Sequence, residues 1–349
     1  MTQSITVLCL EWPSPTHHVG GVGRYSYRLT RWLAQHVSID VVTGPDPEPL
    51  DDVSIHPVDA SYFKDRFHRF YVAPIAAARL VRGLDSEVVH SHGDDVPLAW
   101  GAHPPIVRTY YGRAAAEASS SRWLRRLNHT VLSGFEHIVR PRLATAVGIG
   151  PDSVSAFRAQ DLIPPVLPDD LPSTVAEQRS NSPTVVFVGG FHGRKRGAVA
   201  LTAATETRRR VRDLRFVVFG PPADRPSYPG WVDFRAGATD EEVRATLAEA
   251  WALLAPSTYE GFGIPAWEAM ASGAAVIGTP NAGLRFLAGD NGAALMLDDA
   301  AISSALLRLL VNDEERARVT SAGRVRAEEV AAMADPNRYL RLFEHAASH

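Results

Sequence analysis

The strongest constraint on this chain is a rhythm. Short apolar runs alternate with stretches of helical periodicity, and the alternation occurs twice, on either side of a proline-rich break. In the first half the runs are ITVLCL (5–10), IDVV (39–42), VSIH (53–56), VVH (88–90), IVRTY (106–110) and ATAVGI (144–149). In the second they are TVVFV (184–188), RFVVF (215–219), WVDF (231–234), WALLA (251–255), AAVIG (274–278) and AALML (293–297). Strands spaced by helices call for parallel pairing through crossover connections, so each half reads as its own α/β sheet. The break, Leu162 to Pro183, is rich in proline and polar residues that suit neither period, and reads as a linker. A chain of 349 residues, 45% hydrophobic, is long enough for two domains with separate cores. The expected division is 1–163 and 164–333, with the helical pattern of Pro336 to His345 placing segment 334–349 back against the first domain.

Charge and cysteine content narrow the function classes. A formal net charge of -3 argues against a nucleic-acid partner, which calls for a basic surplus. The single cysteine, Cys9, lies in an apolar run, so no disulfide framework exists and a reducing compartment is expected. The opening MTQSITVLCLEW lacks a basic n-region, and no apolar stretch is long enough to span a bilayer. A cytoplasmic protein, peripheral to a membrane at most, is the expectation.

One segment names a chemistry. In Pro256 to Gly273, PSTYEGFGIPAWEAMASG, Glu260 and Glu268 flank a glycine-rich bend that follows a strand and enters a helix. Gly261 and Gly263 permit a sharp turn and close approach to a ligand, and Pro265 suits the first helical position. Open α/β sheets bind ligands at such strand ends, and free N–H groups of a helix start favour an anion such as a diphosphate. Glu260 is then placed to accept hydrogen bonds from sugar hydroxyls and Glu268 to reach a ribose. The spacing alone equally admits a plainer reading, in which Glu268 complements the helix dipole and Glu260 is a solvated loop acid.

Further candidates lie at other strand ends. HHVGGVGRYSYRL puts Gly20, Gly21 and Gly23 before a helix entered through Arg24, where main-chain N–H groups can face a phosphate, although the spacing is not that of dinucleotide binders. VGGFHGRKRGAVAL puts Arg194, Lys195 and Arg196 in a turn after a strand; cations there would stabilise a leaving diphosphate, or simply be solvated. His92 follows VVH in a position to face a cleft, His90 belongs to the strand, and His17 and His18 lie on the approach to the glycine loop. Asp94 and Asp95 read as a helix cap and first-turn acid. No histidine pair has metal-ligand spacing with a supporting carboxylate, so no metal is expected. In WLRRLNHTVLSGFEHIVRPR, residues Leu124, Leu127, Val131, Phe135 and Ile138 recur at helical spacing among Arg122, Arg125, Arg126, Arg140 and Arg142. Such a stripe either packs on the domain core or offers 122–142 to a membrane surface or anionic acceptor.

Taken together these motifs resemble retaining glycosyltransferases of the GT-B fold, family 4. PSTYEGFGIPAWEAMASG looks like that family's E-x7-E motif, with Glu260 and Glu268 as its acids. VGGFHGRK is similar to its VGR turn with a basic residue, mapping the phosphate lysine onto Lys195. Gly21, within GGVGR, takes the glycine-loop position, and VVHSHG matches the strand ending near His92. The resemblance implies two Rossmann-like domains facing across a cleft, an acceptor-side domain first and a nucleotide-sugar-binding domain second. It implies sugar transfer from a nucleotide-sugar donor to the hydroxyl of a glycan, lipid-linked or small-molecule acceptor, with retention and without a metal or other cofactor. Glu260, Lys195 and His92 are then the catalytic set. Gly21, Gly23, Arg194, Lys195, Arg196, Gly261, Phe262, Gly263, Ile264 and Glu268 are the donor-binding set. The form YEGFGIP leans towards mannose- or rhamnose-type donors. Three positions depart from the family: Gly190 stands for an arginine, Tyr111 for a histidine and Phe286 for an acid. Two alternatives follow from these, a nucleotide-sugar-binding partner subunit without catalysis and a GT-B sugar-nucleotide epimerase.

Overall fold

The computed structural model describes residues 3–15, 20–119, 123–166 and 179–348. The chain divides into two compact units, one comprising 1–114, 129–166 and 334–349, the other 115–128 and 167–333.

The first unit holds a parallel sheet of β1 (Ser4–Cys9), β2 (Ser38–Thr43), β3 (Val53–Pro57), β4 (Val88–Ser91), β5 (Ile106–Tyr110), β6 (Thr145–Gly148) and β7 (Asp161–Leu162), in the order β3-β2-β1-β4-β5-β6-β7. Helices α1 (Gly21–Leu33) and α2 (Ala73–Arg82) belong to it, α3 (Ala114–Ser119) and α4 (Trp123–Val139) are divided between the two units because 115–128 fall in the other, and α5 (Pro151–Phe157) belongs to it again. Both faces of the sheet are covered, which is why its strands read as unbroken apolar runs. In β1, Ile5, Val7 and Cys9 pack with Tyr25, Leu29 and Leu33 of α1, while Leu8 faces Ala73, Ala77 and Val81 of α2. The two-residue β7 pairs with β6, and its Leu162 falls in the segment that reads as linker, because two residues beside prolines carry no period.

The second unit contains β8 (Thr184–Val188), β9 (Arg215–Phe219), β10 (Asp233–Arg235), β11 (Ala252–Ala255), β12 (Ala275–Gly278) and β13 (Ala294–Met296), ordered β10-β9-β8-β11-β12-β13 and all parallel. Its helices are α6 (Gly197–Arg208), α7 (Asp240–Glu249), α8 (Ile264–Ala271), α9 (Ala282–Ala288), α10 (Asp299–Val311) and α11 (Asp313–Met333). Val185, Phe187, Phe216, Val218, Leu254 and Ile277 meet the alanine face of α6 and the leucine face of α10. The last helix, α12 (Asn337–Ala347), belongs to the first unit: Tyr339, Phe343 and Ala346 share one face and are buried with β1 and α1, and Arg338 pairs with Asp161 of β7.

In each sheet the strand order reverses once, between β1 and β4 in the first and between β8 and β11 in the second. Ligands of open α/β sheets bind outside the carboxyl ends of such strands.

Candidate active site in the second unit

At the second reversal the loops after β8 and β11 converge. Glu260 lies on the loop after β11; its Oε1 is 2.7 Å from Lys195 Nζ and its Oε2 accepts from Arg194 Nη1 at 2.7 Å. The glutamate side chain is only 13% exposed. Burial raises its pKa, but Lys195, Arg194 and a hydrogen bond with Ser257 outweigh burial and bring it from 4.5 to about 2. Glu260 is therefore an anion holding two cations, and the trio carries a net positive charge. Lys195, Glu260, Ser257, Gly263, Pro265 and Asn281 line open space of about 380 Å³, counting the part continuous with solvent, floored by the ends of β8 and β11.

Backbone geometry sets the lysine. Gly189 has φ +153, and a Cβ there would lie 2.7 Å from Lys195 Cγ, so the stem of the lysine crosses the strand end where a side chain would otherwise sit. The two loops are tied together by Thr258 N donating to Arg194 O at 2.9 Å and Arg194 Nη1 donating to Tyr259 O at 3.2 Å. Arg196, at φ +59, turns away to Asp299 and to Pro256 O. Arg194 and Lys195 are thus brought to Glu260, with Lys195 lining the pocket, and Arg196 is not. The first N–H groups of α6 are taken by Gly190 O and Phe191 O, so an anion is left to α8 and the side chains.

The bend before α8 sits where the glycines require it, with Gly263 at φ +95 capping the helix. The helix begins at Ile264, one residue earlier than Pro265 was expected to start it, which makes Glu268 its fifth residue. Glu268 is buried, as is Phe262, whose ring packs on Trp267 at 5.2 Å and Phe286 at 5.9 Å. The side chain of Phe262 is thus part of the core, and only its main chain and the neighbouring Gly261 and Gly263 remain for a ligand.

Several residues that position this site carried no recognised signal. Asn281 Nδ2 donates to Ser257 O and Thr279 O at 3.1 Å, while its Oδ1 accepts from Leu284 N to cap α9. Thr279 Oγ1 donates to Ser257 O at 2.8 Å. Gly283 N donates to Glu260 O at 2.9 Å, and a Cβ on Gly283 would lie 2.5 Å from Phe262 O. The clue was TPNAGL after a strand, an Asn cap followed by a glycine at a close approach.

The three family departures have physical neighbours. Beside Gly190, Asp224 Oδ2 accepts from Phe191 N at 2.7 Å and lies 3.3 Å from where a Cβ would be. Phe286 supports Phe262 and lies under the Arg326 guanidinium, 5.4 Å from its ring centroid. Tyr111 bonds His92 Nδ1 through its hydroxyl.

In the first unit, His92 follows β4 and is only 6% exposed; burial, with His90 adjacent, lowers its pKa well below the ordinary 6.5. His90 lies within the strand, and its Nε2 meets Thr109 Oγ1 at 3.0 Å. Gly20 caps α1 in extended conformation, so Gly21 and Gly23 stand inside the helix rather than in the turn before it. His17, His18 and Arg122 lie outside the described residues. Asp94 and Asp95 precede no helix: Asp94 pairs with Arg69 at 3.1 Å and the buried Asp95 with Arg108 at 2.6 Å, because two desolvated acids need cations more than a helix end. Of the apolar stripe of α4, Val131 and Ile138 are exposed while the neighbouring Val139 is buried, and the side chains of Leu124 and Leu127 lie outside those described.

The sequence matches known families in two places. The family described as Glycosyltransferase Family 4 matches residues 19–146, and that described as Glycosyl transferases group 1 matches residues 182–312. An MMP alpha-(1->4)-mannosyltransferase of Mycolicibacterium hassiacum is 39% identical over 99 residues, covering 27% of this chain and 24% of that protein. The O-antigen chain mannosyltransferase B of Escherichia coli is 33% identical over 107 residues, 30% of this chain and 28% of that one. These matches span only about a quarter of the curated relatives. The fold is shared with a sucrose-phosphate synthase from Thermosynechococcus elongatus at TM-score 0.79 and 18% identity, over 98% of both chains. With both halves matched by glycosyltransferase families and the whole chain by that fold, the chain belongs to the GT-B glycosyltransferases of family 4.

Proposed function

We propose that this chain is a retaining glycosyltransferase that moves a sugar, of mannose type before glucose type, from a nucleotide-sugar donor to an acceptor hydroxyl without a metal. The convergence of Lys195 and Arg194 on the ionised Glu260 at the strand-order reversal carries this reading. In the donor-bound state Lys195 and Arg194 face the diphosphate and stabilise the charge that grows as the bond from the anomeric carbon to the phosphate oxygen breaks. Ile264 N–H and the glycine bend supply main-chain donors at the start of α8. Each carboxylate oxygen of Glu260 has lone pairs for more than one hydrogen bond, so it orients sugar hydroxyls while fixing both cations. The acceptor oxygen then attacks from the face the phosphate leaves, and the departing phosphate oxygen takes its proton.

The two mannosyltransferase relatives support the choice of sugar. Peripheral membrane contact through 122–142 belongs to the same reading. Ile138 is 50% exposed, and Arg142 lies over the ring of the exposed Trp100 at 4.5 Å, the aromatic and cationic pairing suited to an anionic interface. Among the described residues, no helix is long and apolar enough to cross a membrane.

Thermal shift with UDP-, GDP-, ADP- and dTDP-sugars tests donor binding, since a ligand of the native state raises its stability by mass action. Product analysis with the purified chain then separates the outcomes. Transfer with retained configuration supports the proposal; donor binding with neither transfer nor hydrolysis identifies a binding subunit, and release of rearranged free sugar an epimerase.

A further inference from the structure

One layer of the first unit gathers exposed apolar groups on its outer side. Helix α2 turns Ala73, Ala77, Ala78 and Val81 into the core that covers one face of the sheet, and Ala99 and Val139 are buried in the same core. Their neighbours in the chain face the other way: Ile75 and Leu80 of α2, Trp100 after Ala99 and Ile138 before Val139 are all exposed. Two arginines join these pieces. Arg82, at the end of α2, donates from Nη2 to Pro97 O at 2.7 Å and to Trp100 O at 2.6 Å. Arg142 donates from Nη1 to Ile138 O at 3.1 Å and lies 4.5 Å from the centroid of the Trp100 ring. The main chain of Trp100 is thus tied to α2 and its ring to the end of α4, which makes one surface from segments far apart in sequence. Contiguous exposed apolar groups of this kind mark an interaction face.

The charge of the surface selects its partner. Arg79, exposed on α2, makes no hydrogen bond or ion pair among the described residues. Arg82 and Arg142 bond main-chain carbonyls, so no carboxylate among the described residues neutralises any of the three. Helix α2 carries no acid; Asp85 and Glu87 come only after it has ended, and Glu136 of α4 turns to Ala114 N. A second copy of this chain would set arginine against arginine across a two-fold axis. A nucleic acid would leave the aliphatic groups without a partner. An anionic bilayer suits both kinds of group, because aliphatic and indole side chains enter the headgroup boundary while cations meet lipid phosphates. We infer that the outer face of α2, with Trp100 as its anchor, docks this chain on a membrane of anionic phospholipid, the end of α4 forming only its border. The inference rests on the peripheral-membrane reading above and moves the contact from 122–142 to α2.

The test is cosedimentation of the full chain with vesicles of phosphatidylcholine alone and of phosphatidylcholine mixed with phosphatidylglycerol. Binding to the mixed vesicles only, weakened by added salt, is expected. Arg79→Glu should weaken that binding at least about tenfold, since each cation near the surface adds to the attraction. Ile75→Ser combined with Leu80→Ser should also weaken it about tenfold through lost apolar burial. Tryptophan emission should move to shorter wavelength on the mixed vesicles, and Trp100→Phe should remove most of that shift. These side chains are exposed, so the melting temperature without vesicles should stay as it is in the parent chain. Equal binding to both vesicle types, binding to neither, or loss of binding in Ile138→Ser but not in the α2 variants overturns the inference. The last result leaves a contact through 122–142 standing, whereas absent binding removes both. A dimer that Leu80→Ser dissolves, with no vesicle binding, makes a second copy the occupant instead. The donor-induced thermal shift is measured alongside, and its loss strikes the transferase reading alone.

Discussion

The two strand-order reversals are built alike and gather their charged side chains differently. In the second unit two cations, Lys195 and Arg194, converge on one carboxylate; in the first, two carboxylates, Glu11 and Asp94, converge on one guanidinium. Both sheets supply a strand-order reversal, and a handful of loop residues decides which charges meet there. The lesson is that topology locates a site while loop charge assigns its substrate. Burial separates the two as well. Beside the first reversal lies a chain of neutral polar groups, His90, Thr109, Tyr339 and Tyr25, linked at 3.0, 3.1 and 3.3 Å, whereas the second depends on an ionised acid.

The largest expected effect of breaking this contrast is in catalysis. Lys195→Ala should lower kcat by about 10²–10³-fold, the range for losing one group that stabilises transition-state charge. Circular dichroism should show the fold intact, and near-normal turnover would remove Lys195 from its proposed role.

Acid should discriminate between the units next. Burial holds His90 near pKa 3 against an ordinary 6.5, so between those values the unfolded chain binds a proton that the folded one does not, and stability falls as pH drops from 6.5 to 3. For Glu260 the same sign applies lower down: its contribution is fully present above about 4.5 and is lost as pH falls towards about 2. Hydrogen exchange resolved by peptide should therefore show the first unit opening at the higher pH. His92, also held well below 6.5 by burial, contributes to the same phase, so His90→Phe, which keeps a ring against Tyr339 and Phe343, should shrink it rather than abolish it, and an unchanged profile would rule out His90 as a source.

Two smaller changes probe how the second site is held. Gly189→Ala places a methyl against the stem of Lys195 and imposes φ +153 on an alanine, and should cut kcat about tenfold, roughly 1.4 kcal/mol, by moving the lysine. Asn281→Ala removes two donated bonds and the cap of α9, and should cost about 1–3 kcal/mol in denaturant unfolding. A cost within error would show that Thr279 alone holds the Ser257 loop.

Much of this was legible before any coordinates. Twelve strand segments could be read because buried parallel strands are continuously apolar, and the bend at Gly261–Gly263 because only glycine-rich sequence turns so sharply before a proline-started helix. The misreadings share a cause. Asp94 and Asp95 looked like capping residues because local sequence shows an acid near a turn but not the arginines, Arg69 and Arg108, that meet it from elsewhere in the chain. The stripe of α4 admitted both an inward and an outward face, because spacing defines a face without saying what covers it. Arg194, Lys195 and Arg196 were indistinguishable as three adjacent cations until Gly189 and the positive φ of Arg196 sent two towards Glu260 and one towards Asp299.

Sequence by itself determined the class of fold, the two-domain plan and the family, since these depend on periodicity and on contiguous motifs that neighbouring residues carry. Only the tertiary structure decided which charges meet. Whether a carboxylate ends as a solvated loop acid or as an anion clamping two cations depends on partners dozens of residues away. Strand order, not chain order, brings Glu260 to Lys195 and Arg69 to Asp94.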